Sequence, residues 1–486
     1  MTDKVIRDGY TYGLRSQCLP FREVLAQSIA NQAPTAMPTV GLSLVYGSAG
    51  NGSWLAYLLA TIGLVFVSLN INQFARRSAS PGSFYSYIAK SLGLMAGVIC
   101  GWSIVLAYLG GAMSVTAAFA NYAQVFLGMA GYNISPIFLF AICTGIAWYF
   151  AYTDIKLSAA LMLLIESVSI GIILTLGIIV WLHKGFAIDP AQLALKGVAP
   201  NSIALGLVFS ILSFGGFESA TALGDEAKNP LKNIPNAVIL STIIGGFFYI
   251  FMAYVEVIGF NGSSISLEKN NAPLSFLAEE VGLGFLGLII NVGAMVSFFA
   301  CALASINASA RIFFTMARHQ VFHPSLGKAH HSNQTPHVAI TMTTLFAFFV
   351  PTSISMFGVS TLDIVLYLGN ISAYGFLMAY ILVSIAAPVY LYKIGQLRHD
   401  AILMAVLAVF FMAIPVVGST GIPGSSVFLV PEHPFNVFPF LFLMYLIVGI
   451  AWFLMLRLHS PEVIKHMDSA IETIHTQRML EKSIEE

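Results

Sequence analysis

Long apolar segments, separated by short polar stretches, follow one another along most of the chain. A helix needs about 20 mostly apolar residues to cross the hydrocarbon core of a bilayer. The pattern therefore predicts an all-α polytopic membrane protein with 12 transmembrane helices. The segments are centred near Thr35, Ile62, Leu109, Ile142, Gly171, Phe214, Tyr249, Val296, Leu345, Ile371, Phe410 and Leu446.

Two of these segments are interrupted by residues that break helices. The first contains Asn31-Gln-Ala-Pro-Thr-Ala-Met-Pro38, and the sixth contains Gly215-Gly216 followed by the carboxylate of Glu218. Hydrocarbon cannot solvate free backbone groups, so a broken helix persists in a membrane only where protein or a water-filled cavity supplies partners. A pair of such segments is typical of the central site of a secondary transporter. Close packing of two helices is the alternative interpretation of Gly215-Gly216.

The sixth segment opens a second group of five segments, as the first segment opens the first group. Five crossings per group invert the second group relative to the first, which predicts a five-plus-five inverted repeat. An amphipathic helix near residues 273–284 is predicted to cover the extracellular side. The predicted units are a cytoplasmic N-terminal tail (1–22), a first repeat (23–182), an extracellular loop (183–203), a second repeat (204–392), segments eleven and twelve (393–460) and a cytoplasmic C-terminal tail (461–486).

Composition agrees with a location in the bilayer. Hydrophobic residues make up 57% and charged residues 9% of the 486 residues, whereas soluble domains have about 25% charged residues. The 22 basic and 22 acidic residues balance, so no nucleic-acid partner is predicted. If both termini are cytoplasmic, only Lys184, Lys196 and Lys269 of the basic residues face outside. This asymmetry predicts a multi-pass protein of the cell (plasma or inner) membrane with both termini cytoplasmic.

The remaining polar residues give no sign of catalysis. The four cysteines are widely spaced without a CxxC pair, so neither a disulfide framework nor a metal site is expected. Five histidines between His319 and His337 fall in one cytoplasmic loop, which is predicted to be solvated. Glu256 is predicted to lie at the membrane interface. No nucleophile–base pair is visible, so the chain is not predicted to be an enzyme, and no cofactor is expected beyond a proton or sodium gradient.

Several motifs carry a family resemblance. Phe214-Gly-Gly-Phe-Glu218 is followed by Gly224-Asp-Glu-Ala-Lys-Asn-Pro230 and Ile234-Pro235. Further matching positions are Pro81-Gly-Ser-Phe-Tyr85 with Tyr87, Ser309-Ala-Arg311, Met316-Ala-Arg318, Pro324 and Thr335-Pro336. In these motifs the chain resembles the amino acid permease branch of the amino acid–polyamine–organocation (APC) superfamily. The resemblance implies a LeuT-like fold with broken helices 1 and 6, alternating access, and amino acids or related amines as substrates.

The substrate site is predicted at the two breaks. The half-helix after each break presents unpaired N–H groups and a positive dipole end, which suit a carboxylate. Many family members carry a glycine-rich run in the first break, which here reads Asn31-Gln32-Ala33, and Pro34 has no N–H to donate. The alternative role for Asn31 and Gln32 is to satisfy the broken helix with their amides. The predicted substrate-binding residues are Asn31, Gln32, Ala33, Thr35, Tyr108, Ser213, Phe214, Gly215, Gly216 and Glu218, with Tyr108 as an aromatic gate that similar permeases have near this position.

Two carboxylates inside apolar segments are candidates for proton coupling. An ionisable group that faces lipid costs at least about 2.5–3.5 kcal/mol, so Glu218 and Glu166 are predicted to face a cavity or a partner. The family resemblance implies that Glu218 senses protons or holds a substrate amine, and a structural hydrogen bond is the alternative. A sodium site would need oxygen ligands, for which Ser305 and Ser309 are candidates. Proton coupling is favoured because two buried carboxylates are predicted.

The predicted function is that of a secondary active transporter (permease) that moves amino acids by alternating access, as a proton-coupled symporter or an exchanger. A polyamine or organic-cation importer of the same fold and an amino-acid sensor derived from a transporter are the alternatives. Relatives selective for a large cationic amino acid can carry a bulky aromatic residue where this chain has Leu212, which favours a neutral substrate side chain. The sequence leaves the oligomeric state open.

Overall fold

The computed structural model describes residues 13–129, 131–270, 272–467 and 469. In these ranges ten helices are long and apolar enough to span a membrane. One of the ten is the run Phe21–Ala75, which contains the first two predicted segments, and Pro200–Leu212 is shorter than the others. The all-α polytopic prediction is confirmed, whereas the number of twelve crossings stays a prediction.

The third, eighth and tenth predicted segments form helices of 36, 35 and 33 residues. These lengths exceed the roughly 20 residues that a straight crossing needs. The described helices are α1 (Phe21–Gln32), α2 (Leu42–Ala49), α3 (Ser53–Ala75), α4 (Ser83–Leu92), α5 (Leu94–Met129), α6 (Pro136–Thr153), α7 (Ile155–His183), α8 (Pro190–Leu193), α9 (Pro200–Leu212), α10 (Pro230–Phe260), α11 (Pro273–Glu280), α12 (Gly284–Arg318), α13 (His337–Met356), α14 (Thr361–Lys393), α15 (His399–Thr420) and α16 (Phe438–His459).

The first break separates α1 from α2. Ala33 adopts a left-handed backbone conformation with φ 45° and ψ 63°, and Pro34 cannot donate an N–H to continue the helix. The chain resumes in a π-helical turn, Met37–Gly41, that leads into α2. The residues that interrupt the apolar pattern in the sequence therefore interrupt the helix at the same place.

The second break follows α9. The chain passes through turns after Leu212 and forms a 3-10 helix at Ser219–Leu223. Gly216 has φ 91°, a conformation that residues with a side chain rarely adopt. A Cβ atom on Gly216 would lie 2.8 Å from Cγ of Asn31. Glycine at this position therefore permits both the turn and the close approach of the two breaks.

Long helices surround both breaks. Helices α12 and α14 pack along α5, α10 packs along α3, and α1 contacts α7, α10 and α12. In α12 every residue from Ser297 to Ala317 is buried. The breaks therefore lie in the protein interior, where other helices can satisfy their backbone groups.

The two ends of the bundle carry different loops. We call the end with residues 183–203 and α11 the outer end, and the end with residues 76–82 and 319–336 the inner end. The predicted outer-loop helix is present as α11. The predicted unit boundaries and the cytoplasmic position of both termini stay predictions.

The prediction that the whole histidine cluster is solvated is wrong, whereas the interfacial position of Glu256 stays a prediction. His319 is fully buried, with its Nδ1 atom 3.0 Å from the hydroxyl oxygen of Tyr85, although His323 and His331 are exposed as expected. Burial, assisted by the positive charges of neighbouring residues, lowers the pKa of His319 to about 3. Glu256 is also fully buried. In both cases helices or loops that are distant in the sequence cover the side chain.

Candidate functional site

A cavity of about 650 Å³ lies between the two breaks. It reaches toward the outer end, where Leu362 at the start of α14 and Phe435 before α16 contribute to its wall. Five predicted substrate-binding residues line it: Asn31, Gln32, Ala33, Ser213 and Gly215. A concave site of this size suits a small molecule.

The amides of Asn31 and Gln32 supply polar groups to the cavity. Oδ1 of Asn31 accepts a hydrogen bond from Oγ of Ser305 at 2.7 Å. Nδ2 of Asn31 and both amide atoms of Gln32 are buried without a hydrogen-bond partner among the described residues. Buried polar groups are normally hydrogen-bonded, so these three atoms lack partners in this conformation, and Oε1 of Gln32 lies toward Gly245 of α10. The amide of Asn31 bonds to a side chain, so it does not satisfy the backbone of the break.

The backbone N–H groups that were predicted to hold a carboxylate bond largely within the protein. The N–H of Ala33 donates to the carbonyl of Ala30 at 3.0 Å, and the N–H of Gly216 donates to the hydroxyl of Tyr380 at 3.2 Å. In this conformation, side-chain amides are therefore freer to bind a substrate than these backbone groups. The N–H groups of Ser213, Phe214 and Gly215 donate to the carbonyls of Phe209, Ile211 and Leu212.

Phe376 forms the floor of the cavity. Its ring would lie 3.2 Å from a Cβ atom on Gly215, and it packs edge-on against Tyr108 with 5.4 Å between ring centroids. The other five predicted substrate-binding residues do not line the cavity: Thr35, Tyr108, Phe214, Gly216 and Glu218.

Glu218 lies below this floor and is fully buried. Its carboxylate accepts one hydrogen bond from the Tyr108 hydroxyl at 2.7 Å and another from the Tyr380 hydroxyl at 2.5 Å. We call these three residues the tyrosine clasp. The clasp joins α5, the second break and α14, and Phe376, which lines the cavity, packs against both clasp tyrosines.

The walls of the cavity are mostly apolar. None of the described residues that line it is Asp, Glu, Lys, Arg or His. Burial of an apolar substrate group in such a place contributes about 25 cal/mol per Å² of area removed from water. The apolar lining residues nearest the breaks and along α5, α12 and α14 include Val115, Ala118, Phe209, Leu212, Phe298, Val365, Leu366 and Ala373.

Comparison with known proteins agrees with this arrangement. A family model described as amino acid permease matches residues 23–465. The chain belongs to the amino acid permease family. The APC resemblance is therefore confirmed, and the multi-pass permease crosses a membrane.

Individual relatives differ in the substrates that their names record. The permease is 26% identical over 362 residues to branched-chain amino acid permease BcaP of Bacillus subtilis (strain 168), covering 70% of this chain and 74% of that protein. It is 23% identical to cationic amino acid transporter 4 of Mus musculus, covering 67% and 53%. It is 27% identical to the low-affinity putrescine importer PlaP of Escherichia coli (strain K12), covering 58% and 63%.

The fold is also similar to that of a solved transporter. The substrate-bound, outward-open structure of a Na⁺-coupled sialic acid symporter has a TM-score of 0.52 and 13% identity, covering 82% of this chain and 89% of that one. At this identity the likeness shows the fold alone, and it agrees with the LeuT-like architecture.

The two candidate coupling sites lie off the cavity or at its edge. Glu166 is buried behind α12, where Oε1 accepts a hydrogen bond from Oγ of Ser297 at 2.8 Å and Oε2 has no partner among the described residues. Ser305 lines the cavity but donates its hydroxyl to Asn31. Ser309, one turn further along α12, is buried with no hydrogen-bond partner in the described chain. Proton and sodium coupling both stay predictions.

The inner end of the permease is closed by a buried ion pair. The guanidinium of Arg311 donates from Nε to Glu226 at 2.8 Å and from the second terminal nitrogen at 2.5 Å, and both side chains have 0% exposure. The N–H groups of Cys18 and Leu19 donate to the Glu226 carbonyl at 2.7 and 2.8 Å. The chain before α1 therefore lies across the inner end and holds the loop that follows the second break.

Sequence reasoning missed Phe376 and Tyr380. Both lie on α14 four residues apart, and residues at that spacing share one face of a helix. The available signal was a tyrosine within an apolar segment, because a buried tyrosine hydroxyl usually needs a hydrogen-bond partner. Nothing local in the sequence indicated that this partner would be Glu218.

Proposed function

We propose that this permease transports neutral amino acids with apolar side chains by alternating access. The observation that carries the proposal is the cavity between the breaks, which combines free amide groups with an apolar wall that has no charged side chain. The polar ends of the substrate bind at Asn31 and Gln32. Its side chain packs between α5, α12 and α14.

The absence of charge on the described cavity wall favours neutral substrates over cations. A buried charge is stable only when it is paired or hydrogen-bonded. Putrescine carries two ammonium groups and no carboxylate, whereas the ammonium and carboxylate of a neutral amino acid balance each other. Glu218 could supply a negative charge, but it does not line the cavity and two tyrosines occupy its oxygens. The polyamine alternative therefore requires a rearrangement that the neutral substrate does not.

The two ends of the permease support alternating access. The cavity opens toward the outer end, whereas the floor, the tyrosine clasp and the Arg311–Glu226 pair close the inner end. A substrate that binds from the outer end can leave at the other only after these contacts separate and the outer pathway closes. We propose that the outer end is extracellular, which is the orientation predicted from the lysines and arginines.

Uptake by purified protein in liposomes tests the proposed substrate class. We expect radiolabelled leucine, isoleucine and valine to enter, and an excess of unlabelled leucine to compete, whereas arginine and putrescine compete weakly. Gln32→Ala should raise the KM for leucine, because it removes two free polar atoms from the site. Gln73→Ala on α3 is the control, since Gln73 does not line the cavity. Uptake of putrescine without leucine transport would contradict the proposal.

A further inference from the structure

Glu256 is the most enclosed acidic side chain that the transport mechanism has not yet used. It lies on α10, seven residues beyond Tyr249, and every residue from Val255 to Phe260 is buried. Cβ of an alanine at Gly259 would contact Val180 of α7 and Leu277 of α11. The outer-loop helix and α7 therefore cover this part of α10 and separate it from lipid and water.

The carboxyl group of Glu256 has no hydrogen-bond partner. Its exposure is 0%, and both Oε1 and Oε2 are buried without a donor among the described residues. An ionised carboxylate in such a place costs several kcal/mol, even after relaxation of its surroundings. The neutral acid is the form that this environment can hold.

No charged group on the elements that pack against α10 compensates for this burial. The titratable side chains on those elements are Arg22 and Glu23 on α1, Tyr57 on α3, Lys156, Glu166 and His183 on α7, Glu279 and Glu280 on α11, and Glu268 and Lys269 in the 3-10 turn before α11.

Apart from Glu226, which pairs with Arg311, the buried acids of the described chain differ in the number of side-chain donors that they receive. Glu218 accepts hydrogen bonds from two tyrosine hydroxyls, Glu166 accepts one from a serine, and Glu256 accepts none in the described chain. Hydrogen bonds to a carboxylate stabilise its charged form. The charged form of Glu218 therefore has more support from its surroundings than that of Glu256, whose surroundings favour the protonated acid.

Two tyrosines connect this region with the substrate cavity. Tyr57 packs against Tyr249 of α10 with 5.6 Å between ring centroids, and its hydroxyl oxygen is 3.4 Å from Oγ of the cavity residue Ser213. Tyr249 donates to the carbonyl of Ser213 at 3.1 Å. A change at the second break therefore acts on α10, the helix that carries Glu256.

We propose that Glu256 is the proton-binding carboxyl of this permease and that it is protonated while the cavity opens toward the outer end. The proposal rests on the neutral amino acid transport proposed above. When the inner end opens, the O–H bond breaks, the electron pair stays on the carboxylate, and the proton passes to a water molecule that reaches the carboxyl group. No oxidant or reductant takes part.

Proton movement in liposomes tests this proposal. A pH-sensitive dye inside the vesicles reports protons that enter with leucine, and counterflow of labelled leucine reports substrate movement without a gradient. We expect leucine to acidify the wild-type vesicles and Glu256→Gln to lose this acidification, with a fall in the ratio of gradient-driven uptake to counterflow. Glu279→Gln, on the exposed face of α11, should couple like wild type.

The transport outcomes separate the two proposals. Wild-type leucine uptake without proton movement overturns the role of Glu256 and leaves the proposed substrate class intact. Equal acidification in Glu256→Gln and wild type also overturns it. Absence of leucine transport overturns the proposed substrate class.

Infrared spectroscopy tests the protonated carboxyl without any substrate. The carbonyl stretch of a protonated acid should be present in the wild-type protein and lost in Glu256→Gln, and it should persist in Glu218→Gln. A spectrum that Glu256→Gln leaves unchanged overturns the proposal, whatever the transport assays give.

Discussion

The buried polar side chains of this permease differ in the hydrogen-bond partners that neighbouring elements supply. Tyr108 and Tyr380 donate to the carboxylate of Glu218 below the cavity floor. Glu166 has a single serine donor, and the His319 ring has a hydrogen-bond partner in the Tyr85 hydroxyl at Nδ1 and none at Nε2 among the described residues. Buried groups without full hydrogen bonding are costly, so changes at these residues should have measurable effects.

Removal of one hydroxyl from the tyrosine clasp should destabilise the protein. Tyr380→Phe leaves the buried carboxylate of Glu218 with one tyrosine donor, which costs about 1–3 kcal/mol. Tyr374→Phe is the control on the same helix, since its hydroxyl donates to the carbonyl of Ser419 at 3.0 Å in a partly buried place. The free energy of unfolding in detergent measures both variants. Equal losses in the two would contradict a special role for the clasp.

Protonation of His319 should contribute to the pH dependence of stability. Burial lowers its pKa from 6.5 to about 3, so below pH 6.5 the unfolded chain binds a proton that the folded chain does not. Stability from this residue is therefore present above pH 6.5 and is lost as the pH falls toward 3. His319→Gln should reduce the slope of unfolding free energy against pH, whereas the exposed His323→Gln should not. Identical slopes in all three proteins would count against this effect.

At the level of elements, the two broken helices determine where the cavity forms. Ala33 and Gly216 both have positive φ angles, and Gly216 lies against Asn31. The breaks therefore depend on each other, since the turn after α9 is possible only where the residue opposite Asn31 has no side chain.

Substitution of Gly216 should disrupt the substrate site. Gly216→Ala adds a Cβ atom 2.8 Å from Cγ of Asn31 in a left-handed conformation that costs about 1–2 kcal/mol for a residue with a side chain. We expect leucine affinity to fall, because Asn31 must move. Gly145→Ala is the matched control, since a Cβ there meets nothing within 4 Å. Binding titrations that show the same affinity in both variants would refute the expectation.

For the whole molecule, contacts at the inner end hold together helices that are far apart in the sequence. Arg311 of α12 pairs with Glu226 in the loop before α10, and Asn307 of α12 donates to Ser158 of α7 at 2.8 Å. The cavity reaches toward the outer end, where Leu362 and Phe435 contribute to its wall. The structure therefore has its cavity toward the outer end and its closed contacts at the inner end.

Loss of the buried ion pair should be far more harmful than loss of an exposed pair. Arg311→Gln leaves Glu226 buried without its charge partner, which costs about 3–5 kcal/mol. The Arg15–Asp154 pair, with exposures of 38% and 32%, should contribute no more than about 1 kcal/mol. Unfolding of Arg311→Gln, Arg15→Gln and the double variant Arg311→Gln with Glu226→Gln measures this difference. Similar effects of the two single substitutions would contradict it.

Labelling of Cys301 tests the direction in which the cavity opens. Its sulfur lies on the cavity wall and donates to the carbonyl of Asn31 at 3.3 Å. A small, membrane-impermeant thiol reagent applied from outside the cell should label it slowly, and bound leucine should protect it. Cys143 is buried away from the cavity, so Cys301→Ala should abolish the protected labelling. Labelling only from the cytoplasmic side would contradict the predicted orientation.

The sequence alone determined the helical segments and the positions of both breaks. Segment length, Pro34 and Gly215-Gly216 act locally, because they decide whether a stretch of backbone can form hydrogen bonds within itself. The motifs from Pro81 to Pro336 added the family and with it the fold. These features can be identified without knowing which helices are in contact.

Only the tertiary structure decided which polar side chains meet. Glu218 was identified as a buried acid, but its partner Tyr380 lies 162 residues away, and it does not line the cavity. Glu256 and His319 are covered by α11 and by Tyr85, neither of which their local sequence indicates. The spacing of apolar residues indicates which face of a helix is buried. The hydrogen-bond partners of a side chain depend on the elements that pack against that face.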